Sequence, residues 1–245
     1  MTTGTSRRSS KARYLDGSHL SANPDWYEED AAWKAAQVGR LFERHRLEPT
    51  SVCDFGCGTG GVLDTLRTRL PPTTRLAGYE ISDGALRLAP SERFERVELL
   101  RADPRRGNDR FDVILLLDVF EHVDDYLGFL RSFHGHADLY VLHIPLDVSV
   151  QAVLRASPFL TARRVLGHLH YFTRETALAT LADAGFKVVD EQITKPRVDL
   201  PARSAKARIA RFPRRLLAAI SPRLAARLLG GFELLVLARG KGEHE

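Results

Sequence analysis

Three glycines in the stretch VCDFGCGTGG, Gly56, Gly58 and Gly61, stand in the G-x-G-x-x-G order that lets a backbone approach a bound nucleotide closely. An acid, Glu80, follows about 20 residues on, where a dinucleotide site needs an acceptor for its ribose. A second acid, Asp54, sits just ahead of Gly56. A carboxylate there helps hold a cation and repels a pyrophosphate. The loop thus suits two kinds of adenosine-bearing ligand, one anionic at its centre and one cationic, and the glycines alone do not choose between them.

Further residues able to do chemistry fall at the ends of other apolar runs. Asp103 lies in RADP, although Asp-Pro also opens ordinary turns. FDVILLLDVFEHVDD delivers Asp118, then Glu121 and His122. His122 is the candidate catalytic residue, because a neutral imidazole accepts a proton near pH 7. His143 ends the next run, and His168 and His170 would point the same way in an extended chain. With Tyr171 these three are candidate acceptor-binding residues; the alternative for each is a hydrogen-bonded packing role.

Short apolar runs alternate with helical stretches from Ser51 onward. Strands are predicted over 51–55, 75–81, 95–101, 111–118, 137–144, 186–193 and 232–238, and helices over 60–70, 83–88, 124–133 and 174–184. The alternation predicts an α/β fold with a doubly wound, mainly parallel seven-stranded sheet and ligands at the carboxyl ends of its strands. A basic stretch rather than one crossover helix separates the last two strands, so the closing strand is expected to be antiparallel. Residues 1–13 are polar and basic and read as a mobile tail. Residues 14–48 read as an N-terminal helical region. Asn23-Pro24-Asp25 is expected to start a helix carrying Trp26, Trp33, Val38, Leu41 and Phe42 on one face, with the tryptophans as core anchors. Residues 49–241 form the main domain, with insertions at 146–172 and 195–230.

VCDFGCGTG, the acid of RLAGYE, RADP and DVFEHV together resemble the class I S-adenosylmethionine-dependent methyltransferases, in their small-molecule branch, over residues 50–240. The resemblance implies that Asp54, Gly56, Gly58, Gly60, Glu80, Ile81, Asp103 and Asp118 bind S-adenosyl-L-methionine. Glu80 would accept hydrogen bonds from both ribose hydroxyls, Asp103 would meet the adenine amino group, and Asp118 would face the methionine part. It further implies methyl transfer to a small-molecule acceptor, with oxygen preferred to nitrogen on the Glu-His stretch alone. Some ubiquinone-pathway O-methyltransferases bind a divalent metal here, and Asp118, Glu121 and His122 occupy matching positions. The Glu-His pair also occurs in relatives without metal, and no metal site is expected. HLHYFTRETALATLADAGF resembles the stretch in which an aromatic-Thr pair opens the last large helix, and 146–172 lies where this superfamily carries acceptor-binding elaborations. Two alternatives stand beside this reading. One is a NAD(P)-dependent oxidoreductase, argued against by Asp54, DVFEHV and the closing strand; the other is a non-catalytic cofactor-binding module tethered by its basic segment.

At 245 residues the chain suffices for one domain with elaborations. Its longest apolar run is too short to span a bilayer and the N-terminus lacks an apolar leader, so a cytoplasmic location is expected. The only cysteines, Cys53 and Cys57, read as small loop residues. The net charge of +5 is uneven: residues 195–230 hold ten Lys or Arg against one acid, Asp199, and the remainder holds 26 basic and 30 acidic residues. Within that segment Ile209, Phe212, Leu216, Ile220, Leu224 and Leu228 recur at helical spacing, with Arg208, Arg211 and Arg215 on another face. The expectation is a helical cover over the acceptor site with its basic face in solvent; peripheral contact with an anionic membrane is the alternative. No nucleic-acid fingerprint occurs, so the expected partner is a small-molecule acceptor and not nucleic acid.

Overall fold

The computed structural model describes residues 11–241 apart from 27, 108, 203 and 204. Seven strands form one sheet: β1 (Ser51–Phe55), β2 (Arg75–Tyr79), β3 (Glu98–Leu100), β4 (Phe111–Leu117), β5 (Ala137–Pro145), β6 (Lys187–Thr194) and β7 (Glu233–Arg239). Their order is β3-β2-β1-β4-β5-β7-β6. The first five strands pair in parallel, whereas β7 runs antiparallel to both its neighbours. The predicted doubly wound sheet with an antiparallel last strand is the one observed. That strand lies inside the sheet and not at its edge: Leu235 pairs with His143 on one side and Gln192 on the other.

The helices are α1 (Ala12–Leu15), α2 (Ser18–Ala22), α3 (Glu28–His45), α4 (Gly61–Leu66), α5 (Asp83–Leu88), α6 (Ser91–Phe94), α7 (Tyr126–Arg131), α8 (Val150–Arg155), α9 (Ser157–Thr161), α10 (Arg174–Asp183), α11 (Pro196–Asp199), α12 (Ala205–Ile220) and α13 (Pro222–Leu229). Side chains alternate across each strand, so β4 feeds two cores. Val113, Leu115 and Leu117 pack with Val38 and Leu41 of α3 and Leu63 and Leu66 of α4. Ile114 and Leu116 pack with Phe129 and Leu130 of α7 and Ala177 and Leu181 of α10. A strand buried on both faces reads as a continuous apolar run, which is why FDVILLL shows no alternation. Thr173 and Thr176 form a reciprocal capping box that starts α10.

Several expectations are corrected. Residues 1–10 of the expected tail lie outside the described residues, whereas Ala12–Leu15, overlapping its end, is helical, and Arg13 donates to the carbonyls of Arg163 and Arg164 at 3.2 Å. Asn23 ends α2 and does not cap the next helix, which begins at Glu28 with three acids in its first turn. β3 is shorter than expected because the amides of Arg96 and Val97 donate back to the Arg93 carbonyl and close the turn after α6, whose Arg93 is buried against Glu28 (2.7 Å) and Asp64 (3.5 Å).

The largest correction concerns α12. Its apolar residues were expected to face inward; instead Ile209, Phe212, Leu216 and Ile220 are exposed while Ala218 is buried. Two arginines take the inward side. Arg214 donates to the carbonyls of Ala210, Leu229 and Gly230, and Arg211 to those of Val198 and Asp199. Guanidinium groups with five donors satisfy the orphan carbonyls at the ends of α11 and α13, so they fix the helix with its apolar face outward.

Candidate functional site

The parallel strands all end at one edge, and the residues singled out by the sequence gather there. β1 runs into the glycine loop, where Gly58 takes a φ of +58° that favours glycine. A methyl group on Gly58 would meet the Trp26 indole at 2.6 Å, and one on Gly60 would meet Leu99 at 2.7 Å. Glu80, buried at the end of β2, accepts from the amides of Ile81 (2.7 Å) and Ser82 (2.8 Å) with one oxygen and from Gly58 (3.0 Å) with the other. It therefore sets the loop's path as well as facing it. Burial still raises its carboxyl above the usual range against those three donors. Asp54 is buried in β1, and burial, helped by Glu80 and opposed by Lys34, pushes it up to about 7.

A second group of charges spans the ends of β4, β5, β6 and β7. Asp118, with the unusual φ of +56°, pairs with Lys34 of α3 at 2.6 Å and with His143 Nδ1 at 3.1 Å. His143 Nε2 lies 2.9 Å from the Thr194 hydroxyl and 3.1 Å from Glu233. Burial disfavours the charged form of each of these groups. For Asp118 the opposing Lys34 and His143 prevail and hold it well below the usual carboxylate range; for His143, Glu233 and Asp118 prevail and raise it.

A third cluster closes the site from above. Glu121 is fully buried (0% exposed) with no hydrogen-bond partner for either carboxylate oxygen, and burial, then Asp118, raise it well above the usual range. His122 Nε2 lies 3.7 Å from it, and burial beside His168 lowers His122 to about 3. The rings of His122 and His168 are 5.0 Å apart, and His168 Nδ1 is 2.6 Å from Asp147. Tyr14, His19 and Trp26 continue this cluster: Tyr14 lies 6.0 Å from His122, and His19 bridges Tyr14 (4.7 Å) and Trp26 (4.9 Å). The N-terminal segment thus joins the glycine loop to the histidines.

The three histidines expected at the acceptor do not converge. His143 belongs to the Asp118 network and packs on Trp33 (5.9 Å), while His170, in its Nε2–H form, donates to the Val123 carbonyl at 2.9 Å and lies on Tyr126 (4.3 Å). Tyr171 donates to the Phe159 carbonyl at 3.1 Å. Asp103 turns both oxygens to Arg105, whose guanidinium covers Phe55 and Phe129. Neither tryptophan is a core anchor. Trp26, at a φ of +46° that is costly for a bulky residue, covers Gly58, and Trp33 is part-buried beside His143. Sequence reasoning missed Lys34, Asp147, Tyr14 and His19. Asp147 alone had a usable signal, since it follows a strand at its carboxyl end.

Among the described residues two clusters could hold a metal, Glu121 with His122 and His168, and Asp118 with His143 and Glu233, the donor atoms of each lying within 4.8 Å of one another. Residues 27–191 match the model of a family described as a methyltransferase domain. The chain belongs to that family. A ubiquinone biosynthesis O-methyltransferase from Methylobacterium nodulans is 34% identical over 93 residues, a match spanning 35% of this methyltransferase-domain chain and 36% of the relative. The chain thus matches about a third of that relative's length. The magnesium protoporphyrin IX methyltransferase of Synechocystis superposes with a TM-score of 0.56 at 15% identity, covering 86% of this chain and 83% of the other. A SAM-dependent methyltransferase from Archaeoglobus fulgidus gives 0.52 at 16% identity over 84% and 94%. These likenesses show the fold. No helix among the described residues is long and apolar enough to cross a membrane.

Proposed function

We propose that this chain transfers a methyl group from S-adenosyl-L-methionine to a small-molecule acceptor, to oxygen in preference to nitrogen. The observation that carries the reading is the pair of buried carboxylates, Asp54 and Glu80, behind a glycine loop with a bare α-carbon at Gly58. A dinucleotide pyrophosphate would meet two acids there; a cationic donor with a ribose diol meets an attractive field and an acceptor-only carboxylate. The residues fit the donor on that ground: Gly56, Gly58 and Gly60 as the cradle, Glu80 and Ile81 at the ribose side, Asp103 at the adenine end, and Asp54 and Asp118 toward its cationic end. When bound, the donor supplies an electrophilic methyl group.

The chain's own residues then have to position an acceptor, exclude water and take up its proton. Trp26, Tyr14 and His19 cover the loop and keep water out, which strengthens the electrostatics beneath them. Of the two imidazoles beside Glu121, His168 is the better base. Asp147 at its Nδ1 favours the tautomer whose Nε2 carries the lone pair, and stabilises the ring once protonated. His122, lowered to about 3 by burial and by His168, stays neutral and lines the acceptor side, so it does not place a second cation beside the donor. His143 steadies Asp118, and His170 with Tyr171 shapes the entrance. Preference for oxygen follows from this base, since a hydroxyl must lose its proton on methylation, and from the name of the O-methyltransferase relative.

Isothermal titration with adenosylhomocysteine and with NAD, followed by transfer of a labelled methyl group to phenols, carboxylates and amines, tests the reading. Binding of NAD without adenosylhomocysteine would overturn it, and transfer to amines alone would overturn the oxygen preference. His168→Gln should lower kcat with little change in donor affinity, whereas an unchanged kcat removes His168 as the base.

A further inference from the structure

α12 carries its apolar stripe on the side facing away from the protein. Ile209 is 76% exposed, Phe212 73% and Ile220 75%, an arrangement that places large hydrophobic side chains in water where a soluble helix would bury them. The inward side is committed, since Arg211 and Arg214 are held by backbone carbonyls and Ala218 is buried, so rolling the helix would break those bonds. The exposed stripe does not end with α12. Leu224 and Leu228 extend it along α13, and α13 packs on α8, whose Leu154 is 81% exposed beside the exposed Val150 and Val153. Arg214 ties the two insertions together through Gln151 (3.3 Å), and a methyl group on Gly230 would meet Ser149 at 2.7 Å.

We propose that this face docks the protein on the surface of an anionic lipid bilayer, with α12 and α13 lying in the interface. Charge selects that occupant. Arg208 and Arg215 are exposed and border the α12 stripe, and Arg155, Arg163 and Arg164 are exposed on the neighbouring insertion. The two insertions together hold thirteen Lys or Arg against two acids, Asp147 and Asp199. Apolar side chains reaching the acyl boundary with arginines at headgroup level are what an interfacial helix requires, and anionic headgroups supply the counter-charge. A second copy meeting this face through a two-fold axis would set basic surface against basic surface. Docking in this way also brings the 146–172 insertion, which carries His168, to the lipid, so an apolar acceptor dissolved in the bilayer could enter without crossing water.

The test uses the full chain and vesicles of phosphatidylcholine alone or mixed with phosphatidylglycerol, read by co-sedimentation. Binding to the mixed vesicles, little to the neutral ones, and weakening with added salt are expected. Phe212→Ser with Ile220→Ser should reduce binding by at least about tenfold. Arg208→Gln with Arg215→Gln should reduce it by roughly thirtyfold at low salt. All four positions are exposed, and unchanged thermal unfolding of the variants checks that they fold. Absence of binding to the mixed vesicles, equal binding to neutral ones, or indifference to both double variants would overturn the proposal. So would lipid-free self-association abolished by Phe212→Ser with Ile220→Ser, which would assign the face to a second copy. Lipid binding is read without methyl transfer, so this outcome is independent of the proposed reaction.

Discussion

Glu80→Gln is a one-atom test of how the glycine loop works. In the native chain one carboxylate oxygen takes two amides, Ile81 and Ser82, and the other takes Gly58. A carboxamide has a single acceptor oxygen, which stays on the Ile81 and Ser82 pair because it satisfies two donors there. Its NH2 then faces the Gly58 amide, donor against donor. Leaving one buried N–H unpaired costs about 1–3 kcal/mol, and a middle value of about 2 kcal/mol lowers Tm by roughly 4–8 °C in a chain of this length. The ribose also loses a charged acceptor, about 1.5–3 kcal/mol, so adenosylhomocysteine should bind roughly ten- to hundredfold more weakly. Differential scanning calorimetry and isothermal titration at pH 7.5 measure the two effects separately. A folded Glu80→Gln protein with native affinity would refute the reasoning, because it would mean that Glu80 is already neutral or that no ribose reaches it.

Four other outcomes follow from the same geometry. Asp54, raised to about 7, contributes stability that is full below the ordinary carboxylate range and is lost as pH rises through about 7, so Asp54→Asn should stabilise the chain above pH 7 while weakening donor binding; denaturant melts from pH 5 to 8 read this. A cationic donor favours the ionised Asp54, so binding near pH 6.5 should release protons, measured by calorimetry in buffers of different ionisation heat. His122, lowered to about 3, contributes stability that is full above 6.5 and is lost as pH falls toward 3; at pH 5 this amounts to about 2 kcal/mol, and His122→Asn should remove that part of the acid sensitivity, as denaturant midpoints at pH 5 and 7.5 will show. Trp26 lies on the bare α-carbon of Gly58, so adenosylhomocysteine should change the tryptophan fluorescence, and Trp26→Phe should abolish most of that change.

The sheet was legible because its strands are short apolar runs whose ends are marked by glycines, acids and Asp-Pro. Asp54 and Glu80 were legible for the same reason, since strand topology alone carries them to one edge. β3 was over-read because apolar content does not distinguish Val97, whose amide donates to Arg93 in the turn that closes α6, from Leu99 in a strand. In α12 the spacing of Ile209, Phe212 and Leu216 identified an amphipathic helix correctly, but periodicity reports that two faces differ and not which one turns inward. That choice was made by Arg211 and Arg214, through carbonyls that become orphans only once α11 and α13 exist. Lys34 was invisible for a related reason, since its partner Asp118 comes from a distant part of the chain; Asp147 was marked only by its place after a strand, its partner His168 being equally unforeseen. The tryptophans were read as core because large aromatic side chains usually are buried, whereas Trp26 lies over Gly58 and Trp33 beside His143, each only part-buried.

The place of β7 between β5 and β6 has a consequence for how the chain is made. A ribosome releases β5 and β6 well before Glu233, and until β7 arrives both present an unpaired edge, that of β5 carrying the apolar Val141, Leu142 and Ile144. The sheet can close only when β7 slides between two strands that are already made, so its assembly waits until Arg239 has been synthesised and the nascent protein passes through a stage with two unpaired edges.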